Sequence, residues 1–135
     1  MKIGVYLFSA TGNTERVCNL IKENLMQGGA EITIIKIEKG LNDSYAPDKF
    51  DTLIFAYPVH GFNAPTIVTE FAKLLPNAEG KKYYIVKSSG EPAKANRASS
   101  AQLNSILRKK GYDMMDEFHY VIPYNMIFRH GQYMV

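Results

Sequence analysis

Three short segments of this 135-residue chain carry residue types that could hold a ligand. The first is Ser9-Ala10-Thr11-Gly12-Asn13-Thr14, directly after the apolar stretch Ile3 to Phe8. Small residues let a backbone wrap closely around an anion, free N–H groups at a following helix start point into the loop, and the helix dipole favours negative charge there. This is phosphate-cradling chemistry without a lysine, because neither Gly-Lys-Ser/Thr nor G-x-G-x-x-G occurs. Ser, Thr and Asn also suit an ordinary helix cap, but six consecutive small or polar residues exceed what one cap needs.

The second segment is Tyr57-Pro58-Val59-His60-Gly61-Phe62-Asn63-Ala64-Pro65, where aromatic residues, a glycine and prolines crowd a position that a plain loop would fill with polar residues. A flat heteroaromatic ligand needs an apolar wall, for which Phe62 is the candidate, and a glycine lets backbone groups approach a ring edge. Tyr57 and Phe62 could equally cover the end of a sheet, and a lone histidine such as His60 is more often a packing residue than a catalyst. The third segment, Ser88-Ser89-Gly90-Glu91-Pro92, offers hydroxyls and a glycine to the polar edge of a ring, though it is also a common strand-to-helix turn.

The elements that must position these segments follow from hydrophobic spacing. Ile3 to Phe8, Thr52 to Ala56 and Tyr83 to Val86 are compact apolar runs suited to strands covered on both faces. Glu31 to Glu38 is more polar and suits an edge, and a fifth strand lies around Phe118 to Ile122. Between them, residues 14–28 place Val17, Leu20, Ile21 and Leu25 on one helical face before Gly28-Gly29. Pro65 suits the first turn of a second helix containing Ile67, Val68, Phe71, Leu74 and Leu75. A third helix runs from about Pro92 to Lys110, with Leu103, Ile106 and Leu107 inward, and Arg108-Lys109-Lys110 matching the dipole of its last turn. Lys39 to Asp51 lacks helical periodicity and reads as a short or irregular crossover. Strands alternating with helices specify an α/β doubly wound open sheet, whose ligands sit beyond the carboxyl ends of the strands. All three segments above follow strands at that edge.

Composition narrows the function classes. With 46% apolar and 21% charged residues the chain is an ordinary globular one, read as a single domain over 1–135. No apolar run approaches the ~18 residues of a membrane span, so no membrane partner and a cytoplasmic location are expected. Cys18 is the only cysteine and cannot by itself form a disulfide, a thiolate zinc cage or an iron–sulfur cluster. A net charge of +3 is too weak and dispersed to suggest nucleic acid.

Phe8-Ser9-Ala10-Thr11-Gly12-Asn13-Thr14, Tyr57 to Phe62 and Ser88-Ser89-Gly90 together resemble the flavodoxin family, over essentially the whole chain. The likeness is nearest to flavodoxin-like domains fused ahead of a bacterial-type ferredoxin segment. The resemblance implies a five-stranded parallel sheet of order 2-1-3-4-5 and noncovalently bound FMN. Ser9, Ala10, Thr11, Gly12, Asn13 and Thr14 would hold the phosphate. Pro58 and Val59 would lie by the ribityl chain, His60, Gly61 and Phe62 would flank the isoalloxazine, and Ser88, Ser89 and Gly90 would meet its pyrimidine side. It also implies that the peptide at Gly61 reorients with flavin redox state.

Two features depart from that pattern. Ser88 to Pro92 contains no aromatic to stack on the outer ring face, which leaves the face open or covered by Tyr124, Phe128 or Tyr133. The charge of +3 also differs from the acidic character of small flavodoxins. The leading expectation is an electron carrier between redox partner proteins, a ferredoxin-type iron–sulfur segment among them, with no catalytic side chain and no metal site. An FMN-dependent NAD(P)H or quinone reductase is the second, and a non-flavin binding or regulatory domain on this scaffold is the third. Residues Tyr124 to Val135 are too few for the usual final loop and helix, so that helix is expected to be missing. The sheet face left bare would be buried by a second copy of the chain or by sequence from a longer protein.

Overall fold

Segments rich in β-branched and aromatic residues extend and pair, since such side chains pack well on a pleated surface. The computed structural model describes residues 1–8, 13–38, 46–59, 64–89 and 99–121, with the backbone alone for 13–15 and 121. Along them lie β1 (Lys2–Leu7), α1 (Asn13–Gln27), β2 (Glu31–Lys36), β3 (Thr52–Pro58), α2 (Thr66–Leu74), β4 (Lys81–Ser89), α3 (Ala101–Lys109) and β5 (Tyr112–Val121). A single 3-10 turn, Pro47–Lys49, precedes β3. The strands are all parallel in the order β2-β1-β3-β4-β5, the doubly wound α/β arrangement expected.

Alternate residues of a strand point to opposite faces, so each central strand feeds two cores. Tyr6, Leu53, Phe55, Tyr83 and Ile85 pack against Val68 and Phe71 of α2 and Leu103 and Leu107 of α3. Ile3, Val5, Ile54, Ala56 and Val86 face the other way, toward Val17 and Cys18 of α1. Burial on both faces is why β1, β3 and β4 contain unbroken apolar runs. On the α2/α3 face, Tyr6 contacts Phe55 and Phe71, and Phe55 contacts Tyr83, with ring centroids 4.9 to 5.6 Å apart. Gly4 on β1 makes room for Phe50, because a methyl group there would meet that ring at 2.4 Å. Gly111 ends α3 with φ +95°, a conformation that side chains disfavour.

Several boundaries differ from the sequence expectation, for identifiable reasons. β3 and β4 run past their apolar cores because their pairing continues to Tyr57↔Lys87 and Pro58↔Ser88. Pro58, Ser88 and Ser89 are therefore strand residues rather than loop residues. β2 stops at Lys36, and Pro65 stands just before α2 rather than inside its first turn. The third helix begins at Ala101, while the expected start near Pro92 lies outside the described residues. On α1, Leu20 is exposed and Cys18 is buried, because the face that meets the sheet follows Val17, Cys18, Ile21 and Leu25.

β5 is longer than expected and holds an irregularity with a consequence for the site. Tyr83 pairs with Met114, but Tyr84 pairs with Asp116, which leaves Met115 as an extra residue. Such a bulge reverses the side to which every later residue points. Glu117 and His119 consequently lie on the α3 face beside Ile85 and Lys87, and Phe118 and Tyr120 lie on the α1 face beside Val86 and Ser88.

That α1 face is incompletely covered among the described residues. A groove of about 520 Å³ runs along it, lined by Ile21, Leu25, Ile54, Tyr84, Phe118 and Tyr120 among others. Tyr84 and Phe118 stack there with centroids 6.3 Å apart, and Phe118 is 45% exposed. Residues 122–135, with Tyr124, Phe128 and Tyr133, lie outside the described residues.

Candidate functional site

The strand order creates a crevice. From β1 the chain crosses to β2 on one side and then returns to β3 on the other, so connections diverge from the carboxyl ends of β1 and β3. α1, a helix of 15 residues, begins at Asn13 at that point. Its first turn, with Asn13 and Thr14, presents backbone N–H groups that have no partner within the helix, together with the positive end of the helix dipole. The segment leading there leaves β1 beside β3, since the Phe8 N–H donates to the Ala56 carbonyl at 2.9 Å. Ser9, Ala10, Thr11 and Gly12 lie outside the described residues.

The other two candidate segments are tied together at both ends. Pro58 and Ser88 are in register, and the Val59 N–H donates to the Ser88 carbonyl at 2.9 Å. Beyond the segments 60–63 and 90–98, the Ala64 N–H donates to the Ser99 carbonyl at 3.0 Å. The structure thus brings Pro58, Val59, Ser88 and Ser89 together next to the crevice; His60, Gly61, Phe62 and Gly90 lie outside the described residues. Ser89 is engaged on one side already, with Oγ 2.7 Å from Nε2 of His119.

Beneath these segments lies a polar cluster that residue types and spacing did not single out. Lys87 is buried, donates from Nζ to Ser99 Oγ at 2.8 Å and stands 3.5 Å from Glu117 Oε2. Glu117 Oε1 accepts from Ser100 Oγ and, at 3.0 Å, from Asn104 Nδ2, while the Tyr83 hydroxyl donates to Asn104 Oδ1 at 2.7 Å. Burial pushes the Glu117 carboxyl up, but the bonds from Ser100 and Asn104 and the Lys87 ammonium outweigh it and hold it below its ordinary value. Burial and then the Lys87 charge hold His119 below its ordinary value, against the pull of Glu117. The Tyr57 hydroxyl is buried and has no hydrogen-bond partner among the described residues, and burial and the Glu117 charge push it strongly upward. One sequence signal pointed here: a lysine directly after the apolar run Tyr83 to Val86 in a central strand. Nothing local names its partner on β5.

As a donor set, these residues fit a phosphorylated, flat, polar-edged ring. The α1 start and its dipole suit a phosphate, Pro58 and Val59 give an apolar approach, and Ser88 and Ser89 give hydroxyls. Among the described residues no group of three or more His, Cys, Asp and Glu could hold a metal ion, and no helix is long and apolar enough to cross a membrane.

No protein-family model and no curated protein matches the sequence. Solved structures do match. The two-electron-reduced flavodoxin of Megasphaera elsdenii is 21% identical, with a TM-score of 0.74 over 98% of this chain and 93% of that one. The flavodoxin of Streptococcus pneumoniae TIGR4 is 18% identical, with a TM-score of 0.70 over 99% and 95%. General stress protein 14 of Treponema denticola, solved in complex with FMN, is 15% identical, with a TM-score of 0.65 over 88% and 85%. At such identities the likeness is one of backbone architecture, and together with the strand order it establishes that this chain has the flavodoxin-like fold.

Proposed function

We propose that this chain binds FMN noncovalently at the carboxyl ends of β1, β3 and β4 and carries electrons between protein partners in the cytoplasm. The observation that carries this reading is the convergence at one sheet edge of the α1 start, at Asn13, with two further segments joined through Val59 and Ser88. The FMN bound by the Treponema denticola protein of the same fold supports it. When bound, FMN supplies the redox chemistry, and the protein sets its orientation, access and potential.

In this reading Ser9 to Thr14 hold the phosphate, with the α1 dipole opposing its charge. Pro58 and Val59 keep water from the ribityl side. His60, Gly61 and Phe62 flank the ring, and Ser88, Ser89 and Gly90 bond its polar edge. No side chain acts as a nucleophile or a general acid. A ferredoxin-type iron–sulfur protein is the proposed class of partner. A reductase acting on NAD(P)H or a quinone is the second reading, favoured by the absence of an aromatic residue from Ser88 to Pro92, since a ring face left uncovered would be accessible to a substrate.

Titration with FMN, followed by absorbance and fluorescence, tests the proposal. Tight stoichiometric binding is expected, weakened strongly when Thr11 and Asn13 are replaced by bulky residues; a wild-type chain that binds no FMN would reject both flavin readings. Multiple turnovers of NAD(P)H by the isolated loaded protein would replace the carrier by the reductase.

A further inference from the structure

Lys87 stands where a lysine is costly. It lies on β4 between Tyr57 of β3 and His119 of β5, and is 2% exposed. An ammonium taken out of water is tolerated only when paired and hydrogen-bonded. Here Nζ donates to Ser99 Oγ at 2.8 Å and faces Glu117 Oε2 at 3.5 Å, while Glu117 Oε1 accepts from Ser100 and Asn104. Replacing a buried ion pair by apolar residues of similar volume is often neutral for stability, so stability alone does not account for this one.

What the pair does is join segments. Ser99 closes segment 90–98, whose other end, Ser89, is held by His119. The same Ser99 accepts the Ala64 N–H that closes segment 60–63. Ser100, at the cap position of α3, makes no cap bond with its side chain, because its hydroxyl goes to Glu117. A local helix-stabilising bond is given up for a tie between the loop end and β5.

We propose that the buried Lys87–Glu117 pair is a positioning device for the candidate site: it fixes where segments 60–63 and 90–98 end, so that ligand affinity depends on an ion pair lying under the site. The consequence for FMN rests on the function proposed above; the consequence for the two segments does not.

Amide hydrogen exchange without ligand, together with FMN titration, tests it in Lys87→Met, Lys87→Arg and the double variant Lys87→Met/Glu117→Leu. The reporter is the Ala64 N–H, bonded to Ser99, and the reference is the Val59 N–H, bonded to Ser88. In Lys87→Met, Ala64 is expected to exchange at least about tenfold faster relative to Val59, and the FMN dissociation constant to rise at least about tenfold. Lys87→Arg, which keeps the charge and a long reach, is expected to restore both. The double variant leaves no orphaned charge, so it is expected to melt close to the wild type while still exchanging fast at Ala64 and binding FMN weakly. Wild-type protection at Ala64 in the double variant would overturn the proposal, as would an equal rise at Ala64 and Val59. Should Lys87→Met not fold, the double variant decides by the same two measurements. Should the wild type bind no FMN, the function proposed above falls and the Ala64 exchange alone decides the positioning role.

Discussion

The backbone N–H of Val59 donates to the carbonyl of Ser88 at 2.9 Å, so two of the three candidate loops start from one hydrogen-bonded point. Strands β3 and β4 carry that point, and their pairing extends through Tyr57↔Lys87 and Pro58↔Ser88 beyond the apolar runs that nucleate them. Both loops therefore begin from rigid sheet, which suits a site that must hold its geometry.

Pro58 stiffens that starting point by fixing one backbone angle. Pro58→Gly is expected to destabilise the protein by about 0.5–1 kcal/mol, through a more flexible unfolded chain, and to weaken FMN binding severalfold. Urea unfolding and FMN titration measure the two effects separately. Unchanged FMN affinity would show that the residue's stiffness does not reach the site.

Gly4 and Phe50 form a tight contact that a side chain at position 4 cannot share. With Phe50 ring carbons 2.4 to 2.7 Å from an added methyl, Gly4→Ala is expected to cost about 1–3 kcal/mol. Combining it with Phe50→Leu should cost less than the sum of the two changes, a coupling read from a double-mutant cycle in urea.

Acid should destabilise the protein in two steps. His119 has a folded pKa below its ordinary 6.5, so the unfolded state binds more protons between those values; its contribution is complete above 6.5 and is lost as pH falls below it. Glu117, held below its ordinary 4.5, contributes above that pH and loses its contribution as pH falls through its folded value. Urea unfolding from about pH 7 down to about pH 2 should show both steps. His119→Gln should remove the upper step and Glu117→Gln the lower one; an upper step that survives His119→Gln would assign it to another group.

The two sheet faces should respond differently to truncation. Leu103 is fully buried between α3 and the sheet, and Leu103→Ala is expected to cost about 2–5 kcal/mol. Phe118 is 45% exposed in the groove that the described residues leave uncovered, and Phe118→Ser is expected to cost less than about 1 kcal/mol. An apolar dye that fluoresces on burial should bind the native wild type and bind Phe118→Ser less.

Much of the fold was legible because it is written locally. Ile3 to Phe8, Thr52 to Ala56 and Tyr83 to Val86 are apolar on both sides of the chain, which only strands covered on two faces require, and the helices between them show their periodicity directly. Leu20 was misplaced because helical spacing defines a stripe, whereas the part of the stripe that meets the sheet depends on how α1 sits on it. Ser88 and Ser89 read as loop residues because polarity marks loops in a sequence, yet pairing with β3 and β5 keeps them in a strand.

By itself the amino-acid sequence determined the alternation of strands and helices, and with it the sheet edge that carries the start of α1, Pro58 and Ser88. Tertiary structure alone decided what lies beneath them. The extra residue Met115 in β5 changes the phase of the strand, turning Glu117 toward Lys87 and α3 and Phe118 toward the open groove. In a strand of period two the direction of a side chain is set by register against the neighbouring strand, and register is a property of the paired sheet rather than of either segment.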